Sequence, residues 1–369
     1  MFFQLARVAA LATATLAATC TFALAQTSDD AAEAVAPSIL NHFNRLVTIG
    51  STIDPLNGDQ NPYGLAVSPV TAGGLKAGDL VVCNFNGALN IQGLGTTVEV
   101  LSPQPGARPR HLIGDPRLTG CAAIALGSTG ALWIAALDAN DNPIVSPAGA
   151  LITALNTFPW QGAWGEAFSG KAGPRGSAAF YESNANDGSI VRINITTAGF
   201  TFDKIVSGFS VNHGVPGSIL APSGLTYDTK RDVLYVVDGN ANRVVAIRAP
   251  GNVPAGGIRV TPAGFAGPAG AAARVVYAGA PLNAPISAAL LFNGRLVVGN
   301  TGDNRLIEIS PRGRIKGNVL VDRGATGAIF GVAATGTSSE TTRIYFNDDN
   351  ANAVMALLPR NDADLLKSR

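Results

Sequence analysis

Few residues in this chain can act as nucleophiles, bases or metal ligands, and their scarcity limits the chemistry before any fold is considered. Among 369 residues there are three His, namely His42, His111 and His213, and three Cys. No Ser stands in a Gly-x-Ser-x-Gly turn, so the α/β-hydrolase type of acyl transfer has no nucleophile. No glycine-rich loop follows the phosphate-cradling patterns. What remains is Glu166, in Trp164-Gly-Glu-Ala-Phe168, and a set of turn residues: Asn84, Glu182, Asp238, Asn300 and Asp348. Carboxylates and amides of this kind ligate divalent cations or cap tight turns, and the second role needs only local geometry.

The elements that position these residues follow from an internal repeat. Its clearest copy runs Pro222-Ser-Gly-Leu-Thr-Tyr-Asp228, then Asp232-Val-Leu-Tyr-Val-Val-Asp238, then Asn242-Arg-Val-Val-Ala-Ile247. Alternating apolar residues mark three short strands, and Gly, Asp and Asn occupy the joins. Further copies run over 294–309 and 343–357, and weaker ones begin near 63, 121 and 164. Six units imply an all-β, six-bladed β-propeller of four-stranded blades. Ala273–Ala278 and Lys204–Ser207 read as fourth strands. The last unit lacks one, and Arg45-Leu-Val-Thr-Ile-Gly50 has the same character, so it is expected to close the ring in the last blade and remove an exposed sheet edge.

The Pro-x-Gly-Leu strand followed by Tyr/Val-x-Asp-x-x-x-Asn-Arg-Val resembles the NHL repeat, most closely at 222–247. The chain is thereby similar to exported NHL-type and gluconolactonase-like propellers. In such a ring the inner-strand starts (Tyr63, Cys121, Trp164, Ser223, Pro285, Phe330), the turns after the second strands and the loop carrying His213 share one face. Tyr63, Trp164, Glu166, His213 and Asp238 are the candidate ligand-binding residues there. Glu166 stands out because its counterparts are Leu65, Leu225, Ala288 and Val332. A buried carboxylate has to be paired, hydrogen-bonded or metal-bound; the expectation is either pairing with Arg175 or Arg192 of the same blade or a hydrated channel.

The resemblance also allows templates to be compared. Gluconolactonase-like propellers hold a divalent cation with a Glu, an Asn and an Asp, the Asn in a Pro-Asn-Gly strand start. Here those starts read Pro62-Tyr63-Gly64 and Pro222-Ser223-Gly224, leaving Glu166 and Asp238 as the available ligands. Amidating and streptogramin lyases of similar fold depend on His, and only His213 falls on the right face, whereas a zinc site of three His needs more. No catalytic residue is assigned, and no cofactor is implied beyond a divalent cation. The expected function is a binding or scaffold module for a protein, glycan or small ligand. The alternative is a metal-dependent hydrolase or lyase.

Residues 1–25 read as a signal peptide: Arg7, an apolar run from Val8 to Leu24, and Ala23-Leu-Ala25 before the cut. Residues 26–40 read as a flexible lead-in, 41–359 as the propeller and 360–369 as a polar tail. The destination is the periplasm or the exterior, with no membrane span after cleavage and a monomeric state expected. Charged residues make up 14% of the chain and net charge is +1, without a Lys/Arg cluster, so nucleic acid is not an implied partner. With Cys20 removed, Cys83 and Cys121 lie toward one face in adjacent blades. They form either a disulfide contributing about 3–4 kcal/mol or two buried thiols.

Overall fold

A computed structural model describes residues 37–158, 160–170 and 178–359. The unit from Ile39 onward is an all-β ring of six sheets. Blade 1 comprises Gln60–Val67, Leu80–Asn86, Thr97–Leu101 and Arg110–Gly114, and blade 2 comprises Cys121–Leu126, Leu132–Ala136, Pro143–Val145 and Leu151–Ala154. Blade 3 runs through Ala163–Ser169, Ala179–Asn184, Ser189–Thr196 and Gly199–Ser207. Blade 4 uses Pro222–Asp228, Val233–Asp238, Arg243–Arg248 and Ala273–Ala278. Blade 5 uses Pro285–Leu290, Leu296–Asn300, Arg305–Ile309 and Ile315–Leu320. Blade 6 supplies Ile329–Thr335, Arg343–Asp348 and Ala353–Pro359, and its outermost strand is the N-terminal Phe43–Ser51.

That closing strand pairs antiparallel with the last one, Arg45 opposite Leu358 and Gly50 opposite Val354. Closure at the expected segment thus ties the two ends of the ring together. Ile39 and Leu40, which the sequence pattern left in the lead-in, are buried in the blade 5–6 core with Phe43, Leu306 and Leu357. The signal-peptide and tail assignments fall outside the described residues.

Small residues let the inner strands crowd the axis. A Cβ on Gly165 would lie 1.8 Å from the Ser223 carbonyl oxygen, and one on Gly224 would lie 2.6 Å from the Ser287 Cα. Only glycine permits that backbone approach between neighbouring blades.

The repeated Asn has a structural role that its spacing alone did not reveal. Asn140, Asn242, Asn304 and Asn352 each adopt a left-handed backbone, with φ between 45° and 52°, which Asn tolerates better than most residues. Their side-chain oxygens then accept an amide hydrogen from the next blade: Gly162, Ala284, Ala328 and Asn61, at 2.7–3.0 Å. The Asn is therefore an inter-blade latch as well as a turn residue.

One element was not foreseen. Between the third and fourth strands of blade 4, the hairpin of Ile258–Thr261 and Gly264–Ala266 crosses to blade 3, where Ile258 pairs parallel with Val206. Blade 3 becomes six-stranded. Buried Arg192 anchors the insertion by donating to the carbonyls of Pro250, Gly251 and Val253 and to Asp203.

Candidate functional site

The inner-strand starts and second-strand ends share one face: Pro62 opposes Asn84, Pro222 opposes Asp238, Pro285 opposes Asn300 and Ile329 opposes Asp348. At its centre the aromatic rings come together. Tyr63 is stacked between Phe85 and Phe330, with centroids at 4.0 and 3.7 Å, and Trp164 meets Tyr63 edge-on at 5.9 Å. Such pairs add about 0.5–1.5 kcal/mol each beyond area burial. Tyr63, Trp164 and Phe330 are only 4–8% exposed, so the rings plug the mouth of the channel. Burial, and secondarily the negative charge of Asp349, raises the Tyr63 hydroxyl pKa far above its usual value.

Beneath the plug, an axial cavity of about 80 Å³ is bounded by all six inner strands, with Glu166 in its wall. Above it a depression of about 220 Å³ is lined by Tyr63, Trp164, Phe330 and the 217–220 loop.

Glu166 does not pair with Arg192, which is committed to the insertion, and Arg175 lies outside the described residues. Its partner is Asn142, on the neighbouring blade, whose Nδ2 donates to Glu166 Oε2 at 2.8 Å and also to Glu182 Oε2. Glu182 stands directly opposite Glu166 across the strand pair. Burial pushes both carboxyls well above the usual carboxylate range. For Glu182 the neighbouring Glu166 carboxyl adds to the effect of burial, while the Asn142 amide offsets part of it at both groups. The two carboxyls meet around one amide, and Glu166 Oε1 and Glu182 Oε1 have no hydrogen-bond partner.

The other candidates disperse. Asp238 caps its own turn, accepting from the Ala241 amide at 3.2 Å, and holds Arg243 Nε at 2.8 Å. Asp348 repeats the cap on Ala351. His213 is an exposed loop residue with φ 51°. Thus Tyr63 and Trp164 are brought together over Glu166, whereas Asp238 is engaged by its own turn and Arg243, and His213 stands on an exposed loop. The sequence marks Glu182 only as a turn residue and does not single out Asn142. Asn142 carries no sequence signal, because its blade is one of the three with a weak repeat.

Around this face lies a feature that sequence reasoning missed. Ile53, Leu56, Leu89, Ile91, Leu94 and Val215 are all exposed, Leu56 at 74%, Leu89 at 85% and Val215 at 71%. Their three loops adjoin: Gln60 Nε2 donates to the Ala88 carbonyl at 3.0 Å, and Gly217 lies against Gln92. Cys83 and Cys121 are joined in a disulfide linking blades 1 and 2, both side chains fully buried.

No protein-family model matches the chain, and no curated protein matches it in sequence. Solved structures do match. Virginiamycin B lyase from Staphylococcus aureus aligns at TM-score 0.53 and 14% identity, covering 85% of this chain and 99% of the lyase. A catalytically inactive form of that lyase with quinupristin aligns at TM-score 0.50 and 14% identity, covering 86% and 90%. The propeller fold is what these likenesses establish.

Proposed function

We propose that this chain is an exported, non-catalytic binding module that docks a folded protein on the face carrying the inner-strand starts. The observation that carries this reading is the band of exposed aliphatic side chains, Leu56, Leu89, Ile91, Leu94 and Val215, on adjoining loops of that face. Contiguous exposed apolar surface of this kind marks interaction sites. The rival ligand classes fit less well. Tyr63, Trp164 and Phe330 are too buried to stack on a sugar ring. The depression of about 220 Å³ falls below the roughly 300–1,000 Å³ of small-molecule sites. Export follows from the signal-peptide reading of residues 1–25, and the buried Cys83–Cys121 disulfide suits an oxidising compartment. No described helix is long and apolar enough to cross a membrane.

A photo-crosslinking residue at Leu89, compared in intact cells with one at Ile152 on the outermost strand of blade 2, tests this. A discrete adduct at Leu89 and none at Ile152 supports the reading. Adducts at neither position, or equally at both, overturn it.

One observation favours the second reading, a metal-dependent hydrolase or lyase: Glu166, whose Oε1 has no hydrogen-bond partner, lines the axial cavity, with Glu182 opposite it on the next strand. Against it, the Asn142 amide donates into the space a cation would occupy. Hydrolysis of any member of a lactone panel, abolished in Glu166→Gln, would establish the second reading in place of the first.

A further inference from the structure

A different group of ligating side chains sits on the rim of blade 1. Asp54 lies in the loop that leads from the closing strand into blade 1. Glu99 and His111 are cross-strand partners on the third and fourth strands of that blade. Among the described residues these three form the one group of metal-type ligands whose donor atoms all converge within 4.8 Å.

The local structure aims each of them. Asp54 Oδ1 accepts the amides of Leu56 and Asn57, both at 2.7 Å, which turns Oδ2 toward His111 Nδ1 at 2.5 Å. Glu99 is fully buried, and neither of its carboxylate oxygens has a partner in hydrogen-bond geometry. The Asp54 carboxylate and Thr97 hydroxyl are nonetheless near enough to influence its protonation. An orphaned carboxylate in the interior is costly unless a cation or proton compensates it. His111 keeps 24% of its side chain exposed, so the cluster has an opening to solvent.

We infer that Asp54, Glu99 and His111 form a binding site for a first-row divalent transition cation, zinc foremost, which clamps the loop after the closing strand to the outer half of blade 1. The donor set sorts the ions. Two carboxylates with one imidazole suit zinc, cobalt or manganese, with water completing the shell, whereas calcium and magnesium take oxygen ligands. The position gives the ion a mechanical role. Asp54 follows directly on the strand that completes blade 6, so ligation by Glu99 and His111 links the ring closure to the next blade. This site shares no residue with the Glu166–Glu182 pair.

The test uses the full chain stripped with chelator. Calorimetric titration with zinc is expected to show one equivalent bound and a melting temperature raised by about 2–4 °C or more, with calcium doing neither. Glu99→Gln and His111→Ala are each expected to abolish uptake, and Glu166→Gln to leave it intact. Because a variant can lose binding by losing its fold, the wild-type imidazole NMR signals supply an independent reading. Zinc should shift His111 while leaving His42 and His213 unmoved. Failure of the folded wild type to take up zinc overturns the inference, as does uptake that persists in both variants or shifts only His42 or His213.

Discussion

Glu308 and Glu99 are both fully buried glutamates on the third strand of a blade, in blades 5 and 1, and they are compensated in opposite ways. Glu308 receives Arg295 Nη1 at 2.7 Å and the Leu40 amide at 3.0 Å, so its charge is paired and the N-terminal segment is fastened to the ring. Glu99 has no such donors; it faces Asp54 and His111 instead, and burial together with the Asp54 carboxylate pushes its pKa up to about 10. Glu166 and Glu182 lie between these extremes, with one amide donor between them. A buried acid supplied with cationic and N–H donors is architecture. One surrounded by other ligands is a place where something else is expected to bind.

The comparison can be broken most forcefully at Arg295. Arg295→Ala would take the guanidinium away from buried Glu308, and a loss of about 3–5 kcal/mol in urea unfolding is expected. A loss under about 1 kcal/mol would mean that Glu308 is not dependent on its partner. Asn142→Ala removes the amide between Glu166 and Glu182 and should cost about 1–3 kcal/mol by the same measurement. An unchanged midpoint would place water, and not Asn142, in charge of that pair. Asn304→Ala removes a latch between blades 5 and 6 and should cost about 1–2 kcal/mol. Hydrogen exchange should show faster opening at Ala328, whose amide it binds.

The smallest effect concerns Asp349, near the aromatic plug. Burial, then repulsion from Asp348, raises its pKa to about 6. A carboxyl raised above its unfolded value of 3.8 favours folding while protonated, and that contribution is lost as pH climbs from about 4 to about 6. Asp349→Asn should therefore gain about 1 kcal/mol at pH 7, discounted for partial exposure, and nothing at pH 3.5. Equal gains at both pH values would exclude the titration as the cause.

Much of the ring was legible because blade structure is local. Apolar alternation and Asp or Asn at fixed turn positions mark the strands at 222–247, and Arg45–Gly50 resembles the fourth strands it replaces. The hairpin 258–266 was not legible, since its parallel pairing with blade 3 depends on where blade 4 happens to lie in space. Glu166 could be singled out as a carboxylate at an apolar position. Its partner could not, because Arg192 faces the insertion and Asn142 arrives from another blade. Asp54, Glu99 and His111 share no spacing that a motif could capture; the register of the third and fourth strands and the Asp54 turn bring them together.

Anomalous diffraction at the zinc edge, from crystals of the full chain equilibrated with zinc, tests the account most directly. A single intramolecular peak among Asp54, Glu99 and His111, with none beside Glu166 and Glu182, is the predicted result. A peak between Glu166 and Glu182 would contradict it, because the channel would then hold the ion that a hydrolase or lyase requires.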